Sequence, residues 1–307
     1  MNRKSVQIPE RNHQVDGLKG LAMLIVMAYH FLFRFAEIYP IGKQAVLPLL
    51  DKWGVIGVTV FYVISGYYLA RNTLGGYALL ENKISRLWPT YAIGITLCYV
   101  LTLFLPLPGR SVKATDYLLN LTFINGFCKM PYVDSAHWYI TDLIGCINVY
   151  AIVNRAKDDK TRAILMTAFV ILCLLLQTTV NRGISSSVFT FSYGLTGFGR
   201  LSMVLAGEVI YLLNNNNFRI AAYFEVLSII LCLFAFKIKY TAVMIISQVL
   251  LYLTVKEYLR LLAIKPLCAV GKASYSVYVF HQNIGFILIY YVSKIIGHSS
   301  LLLQTAV

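Results

Sequence analysis

Apolar runs of roughly 17 to 25 residues, the length that crosses a bilayer as a helix, recur along the whole chain between short polar stretches. They fall at 16–36, 54–70, 88–106, 136–153, 163–180, 195–213, 220–236, 241–255 and 272–292. The pattern predicts an all-α, polytopic membrane helical bundle with about nine to ten transmembrane helices, the tail after Tyr291 being too short for a clear tenth. Gly207, Glu208 and Glu225 blur the sixth to eighth boundaries, and the turn from Lys237 to Tyr240 is short. No connection is long enough for an appended soluble domain, so residues 1–307 read as one integral-membrane domain. The longest connection, Leu107 to Ser135, contains Y-L-L-N-L-T-F-I-N-G-F, expected as an interfacial or re-entrant helix that lids an outer cavity.

Composition agrees with the pattern. Hydrophobic residues make up 58% and charged residues 13%, with mean hydropathy +0.68, which excludes an ordinary soluble globule. The net charge of +14 raises nucleic acid as a partner, but the 27 Lys and Arg are scattered between apolar runs and form no stripe, so none is expected. They read as topology signals. Alternating the spans puts fourteen basic residues in one set of connections and nine in the other, which predicts a cytoplasmic amino terminus in a multi-pass membrane protein. The first apolar run is too long for a signal-peptide core and is expected to be retained. Six cysteines stand isolated without metal-ligand spacing, so neither a disulfide framework nor a metal is predicted.

Candidate chemistry begins in V-D-G-L-K-G-L-A-M-L-I-V-M-A-Y-H-F, Val15 to Phe31. Asp16 is a candidate helix cap, and Lys19 and His30 are the ionisable groups beyond it. Eleven residues return to the same helix face about 16 Å further along, so a cation at the surface lies below an imidazole deep in the span. An ionisable group in hydrocarbon costs about 2.5 to 3.5 kcal/mol on insertion scales, so His30 is either bonded to a neighbouring helix or a functional group in a cavity. In the second span, Gly54, Gly57, Ser65 and Gly66 permit close approach of a helix or a ligand, and Ser65 has no base partner within its own span. Lys83 and Arg86, on one helical face in K-I-S-R-L-W-P-T-Y, are either topology signals or a grip for the phosphates of an anionic cofactor.

The fourth span opens S-A-H-W-Y-I-T-D. His137 and Trp138 at its mouth read as an interfacial anchor or as an aromatic platform for a sugar, with Asp142 a turn inward as a hydroxyl acceptor. Glu208 and Glu225 are each able to pair with a buried cation or to orient a histidine. In G-K-A-S-Y-S-V-Y-V-F-H-Q of the last span, Ser274, Tyr278 and His281 share a face. Counted from the cationic residues at their helix starts, His281 and His30 reach similar depths, within about 3 Å, which suggests a common cavity.

Taken together, V-D-G-L-K-G-L-A-M-L-I-V-M-A-Y-H, G-V-T-V-F-Y-V-I-S-G-Y, K-I-S-R-L-W-P-T-Y, H-W-Y-I and Y-S-V-Y-V-F-H resemble, in order, the motifs of the acyltransferase 3 family. The resemblance implies a membrane O-acyltransferase that moves an acyl group, usually acetyl from cytoplasmic acetyl-CoA, to a hydroxyl of a cell-envelope or surface polysaccharide. It assigns the family's first-span cation and histidine to Lys19 and His30, its basic pair to Lys83 and Arg86, and its late histidine to His281. Lys19 and Lys83 stand where the family commonly has arginine. They keep the charge and lose the bidentate fork.

An alcohol is a weak nucleophile, so its attack on a thioester needs a base and stabilisation of the developing oxyanion. The expected roles are His30 as general base or acyl carrier, and Lys19, Lys83 and Arg86 as binders of the phosphates of acetyl-CoA, the acyl-donor co-substrate. His281, Tyr278 and Ser274 would orient the reactants, with Trp138 and Asp142 at the acceptor. Expected partners are a glycan or lipid-linked glycan acceptor and membrane lipids. The rival reading is a transporter or flippase for an envelope glycan or lipid-linked sugar, with intramembrane His and Glu carrying protons.

Overall fold

The computed structural model describes residues 12–41, 49–183, 186–297 and 301–306. Every regular element among them is helical. The elements that position the site are α1 (His13–Ile38), α2 (Val55–Arg71), α3 (Gly76–Phe104), α4 (Ala114–Leu121), α5 (Trp138–Val153) and α6 (Asp159–Asn181). After them come α7 (Ser187–Gly194), α8 (Leu201–Asn214), α9 (Phe218–Val255) and α10 (Lys265–Ile296). Among the described residues, six helices are long and apolar enough to cross a membrane: α1, the helix that ends in α2, α3, α6, α9 and α10. The expected count of nine to ten is higher because it divides α9 and admits α5 and α8, which are shorter, at 16 and 14 residues.

The first helix starts earlier than its hydropathy suggests. Asn12, not Asp16, is its cap, and its side chain accepts from the backbone N–H of Gln14 and of Val15 at 2.9 and 3.1 Å. Asp16 instead lies buried in the first turn, where the helix dipole favours an anion, 3.7 Å from Lys19. At the other end the spacing of the helix changes: His30 to Arg34 form a π turn, with one extra residue in the turn.

Helix α9 is a hairpin and not a 38-residue rod. Lys237 has φ 67° and ψ 179°, a conformation nearly exclusive to glycine, and the chain reverses there. Gln248 donates to Glu225 Oε2 at 2.6 Å across the two halves. In a straight helix those residues would lie about 35 Å apart. The short turn expected at 237–240 is this reversal.

Glycines set the helix spacing. Gly20 and Gly271 face each other, and a Cβ on Gly271 would meet the Asp16 carbonyl oxygen at 1.7 Å. Helix α2 packs the same way on α8, where Gly66 lies against Val204 and Gly207 against Val63. Gly54 and Gly57 face Tyr29 and Ala22 of α1, so packing is the role of all three glycines singled out in the second span. Among the carboxylates, Glu208 is fully buried and takes Arg162 and the Tyr150 hydroxyl. Arg162 also donates to Asn154, whose amide holds the carbonyls of Leu69, Asn72 and Leu74 in the turn between α2 and α3.

The connection 105–137 re-enters along α3. Tyr117 stacks on Tyr99 at 4.5 Å, Trp88 donates to the Leu121 carbonyl at 2.9 Å, and Phe123 stacks on Tyr91 at 4.3 Å. From Phe104 to Trp88, α3 spans about 24 Å, so the tip of the connection lies that far below its mouth. Asn120, fully buried, closes it by donating to Pro131 O and accepting from the Val133 N–H. Its returning limb delivers Ser135 and Ala136 to a cavity wall.

Candidate functional site

Two cavities lie along α1, one near its start (proximal) and one near its end (distal). The proximal cavity, about 780 Å³, is lined by Lys19, Arg71, Lys83, Arg86 and Lys272, with no carboxylate among its lining residues. Lys19 leans on the Tyr68 ring at 5.2 Å, and Ser274 and Tyr275 complete one wall. The cations come from four helices, α1, α2, α3 and α10, which the glycine contacts and the Asn154 clamp bring to one end of the bundle.

The distal cavity, about 570 Å³, is lined by His30, Trp138, Arg200, Lys239 and Tyr240 among others. Here His30 meets His281. The His281 Nδ1 lies 2.7 Å from the Tyr278 carbonyl, which can only accept, so Nδ1 of neutral His281 carries the proton and its Nε2 is an acceptor. That Nε2 is 3.1 Å from His30 Nδ1, which also lies 2.9 Å from the Val26 carbonyl. His30 Nδ1 therefore donates to both, and His30 Nε2 keeps its lone pair. The tautomers follow from the partners. His30 opens the π turn and is half-buried, while His281 is buried behind it.

Tyr278 lines both cavities. Its hydroxyl donates to the Ala136 carbonyl, and its ring stands edge-on to Tyr139 at 5.2 Å, which in turn lies 4.5 Å from Tyr62. This aromatic layer is the wall between a polycationic chamber and one that holds an unprotonated imidazole nitrogen.

The family comparison bears on that arrangement. The acyltransferase 3 family model, described as an acyltransferase domain, matches residues 12–307. The chain belongs to the acyltransferase 3 family. A peptidoglycan O-acetyltransferase, OatA, of Listeria monocytogenes is 27% identical over 136 residues, which cover 39% of this chain and 19% of that protein. A putative peptidoglycan O-acetyltransferase, YrhL, of Bacillus subtilis is 29% identical over 136 residues, again 39% and 19%. The chain thus spans about a fifth of the length of these curated relatives. No solved structure matches it.

In this acyltransferase 3 chain, a multi-pass membrane protein, the residues singled out from the sequence divide between the chambers. Lys19, Lys83, Arg86 and Ser274 face the proximal one, His30 and Trp138 the distal one, and Tyr278 both. Asp142 is buried and engaged, 3.5 Å from Arg200 Nε and from the Tyr62 hydroxyl, so it meets a guanidinium and not an open cavity. His137 is fully buried, its Nε2 3.0 Å from the Val279 carbonyl, and not at an interface.

Several residues escaped sequence reasoning. Arg200 reads as one more basic residue at a span start. The polar knot behind His281 is likewise scattered in sequence. There Arg110 donates to Ser135 and Asn283, Ser135 donates to Gln282, and buried Asp134 accepts from the Asn283 backbone at 2.8 Å. The polar residues of the re-entrant connection were the available signal, since buried polar groups need partners.

Proposed function

We propose that the chain is a membrane O-acetyltransferase that takes acetyl from acetyl-CoA in the proximal cavity and passes it to a glycan hydroxyl in the distal one. The observation that carries the reading is the pairing of a five-cation, carboxylate-free chamber with an imidazole whose Nε2 is unprotonated, the two sharing one wall. A polyanionic donor suits the first, and Arg86 and Arg71 supply forks for phosphate. An alcohol nucleophile suits the second. The names of the relatives favour a peptidoglycan-type acceptor.

Nine crossings, formed by α1, α2, α3, α5, α6, α8, the two halves of α9 and α10, would place all five proximal cations on one side of the membrane. The positive-inside bias makes that side the cytoplasm, where acetyl-CoA is available, in a cytoplasmic-membrane protein. The distal cavity then opens to the envelope.

In the reaction, His30 Nε2 removes the hydroxyl proton as the oxygen attacks the thioester carbon. The carbon–sulfur bond breaks, and the departing thiolate recovers a proton as CoA-SH. His281 is a positioning residue: its Nε2 accepts from His30 Nδ1, which fixes the tautomer and stabilises the imidazolium that forms, as the third member of a catalytic triad does. Ser274 and Tyr278 orient the thioester carbonyl at the shared wall. Family membership favours this reading over the transporter.

Transfer of radiolabelled acetyl from acetyl-CoA to envelope glycan, in membranes of wild type and His30→Ala, tests it. Removing a general base costs about 10² to 10⁴ in rate, so label is expected in the wild type alone. Full activity of an inserted His30→Ala protein would refute the assignment.

A further inference from the structure

The distal cavity holds a cation that the transfer of acetyl to a neutral hydroxyl does not require. Arg200 caps α8 at its amino-terminal end, where the helix dipole disfavours positive charge. It follows a turn in which Gly197, Phe198 and Gly199 all have positive φ, at 81°, 49° and 78°. Its guanidinium lies 4.2 Å from the Phe236 ring and 4.9 Å from Trp138, and its Nε lies 3.5 Å from Asp142 with no hydrogen-bond partner. No hydrogen bond among the described residues uses its terminal nitrogens. Aromatic faces and one carboxylate therefore hold the guanidinium at its flanks, while its forks remain unused beside the cavity that contains His30.

We propose that this cavity selects a glycan carrying a carboxylate, with Arg200 taking the carboxylate as a bidentate pair while a nearby hydroxyl of the same glycan lies at His30 Nε2. The assignment rests on the transferase reading and adds the acceptor's charge class to it. A planar guanidinium matches a carboxylate in two parallel hydrogen bonds. Lys239 lines the same cavity and adds long-range attraction, whereas Arg34 is already paired with Glu37. Asp51 also lines it, so the excess charge is modest, unlike that of the proximal cavity, whose lining holds five cations and no carboxylate. That balance suits one negative charge better than a phosphate. Tyr29, Trp138 and Tyr240 offer faces for sugar rings.

The test is binding to the purified full chain in lipid nanodiscs by calorimetry, with cellobiouronic acid, its methyl ester and cellobiose 6-phosphate as probes. The acid should bind about tenfold or more tighter than its ester, the size of one charge-assisted pair. Arg200→Gln should bring the two within about twofold, and Arg200→Lys, which keeps charge without the fork, should lose most of the preference. Lys239→Gln, on the exposed turn of α9, should reduce it by a few fold. A thermal shift on adding CoA, read at the other cavity, reports that each variant is folded; if Arg200→Gln fails that control, Arg200→Lys and Lys239→Gln decide. Equal binding of acid and ester by the wild type, no binding of any probe, tighter binding of the phosphate, or a preference that survives every variant would each overturn the proposal. Discrimination for the acid without any acetyl transfer would instead sink the transferase reading and leave the carboxylate site standing.

Discussion

Gly271→Ala should damage the reaction from a distance. A Cβ at this position would stand 1.7 Å from the Asp16 carbonyl oxygen and 2.9 Å from the Gly20 nitrogen, with backbone on both sides of the contact. Ordinary packing needs about 3.3 Å, so α1 and α10 must separate by roughly 1.5 Å. Those two helices carry His30 and His281, whose nitrogens lie 3.1 Å apart. Carried along the helices, the separation lengthens that contact to about 4.5 Å, beyond hydrogen-bond reach. A hydrogen bond to a charged partner contributes about 1.5 to 3 kcal/mol, which translates into a fall in kcat of about 10- to 150-fold. The strain should also cost about 1 to 3 kcal/mol of stability. Acetyl transfer at saturating acetyl-CoA, normalised to inserted protein, measures the first effect, and thermal unfolding in detergent the second. Gly207→Ala is the control: it creates a similar clash, 1.9 Å from the Val63 carbonyl oxygen, between α2 and α8. It should lower stability comparably and kcat much less. If the two variants lose kcat equally, or if Gly271→Ala stays within threefold of wild type, the link from helix spacing to the histidine pair is wrong.

Other perturbations separate the parts of the site. His281→Ala leaves His30 Nδ1 its contact with the Val26 carbonyl at 2.9 Å, so kcat should fall by about 10- to 100-fold, less than for His30→Ala, and His281→Gln should restore part of the loss by returning an acceptor; equal losses in His281→Ala and His30→Ala would argue for a direct catalytic role. Lys83→Ala and Arg86→Ala should raise KM for acetyl-CoA by about 3- to 10-fold each with kcat nearly kept, and the increase should shrink at high salt, as initial rates at two ionic strengths would report. Lys237→Gly should stabilise the protein by about 1 kcal/mol or more by removing a side chain from a φ of 67°, seen as a raised unfolding temperature.

Much of the architecture was legible in the linear pattern, because a helix in hydrocarbon must satisfy its own backbone and its apolar length is set by the bilayer. The residues of α1, α2, α3, α6 and α10 carry that signal in hydropathy alone. The reversal in α9 was legible from the polar Lys237 to Tyr240 stretch, although the backbone there is continuous enough to pass for one helix. The equal depth of His30 and His281 followed from counting residues along two helices that run the same way. That they touch did not follow. It depends on Gly20 and Gly271 allowing α1 and α10 into near contact.

The sequence by itself determined an all-helical membrane chain, its family, and which titratable groups lie within apolar runs, since each is a property of residue type and spacing along one axis. Only the tertiary structure decided that Lys19 and His30, on one helix, face different chambers, that Tyr278 stands between them, and that Asp142 is taken by Arg200. The contacts behind them, Asp142 with Arg200 and His30 with His281, join residues more than fifty positions apart in the chain. Their distances are fixed by how closely small residues let helices approach and by where buried polar groups find partners, and neither is encoded at any single position.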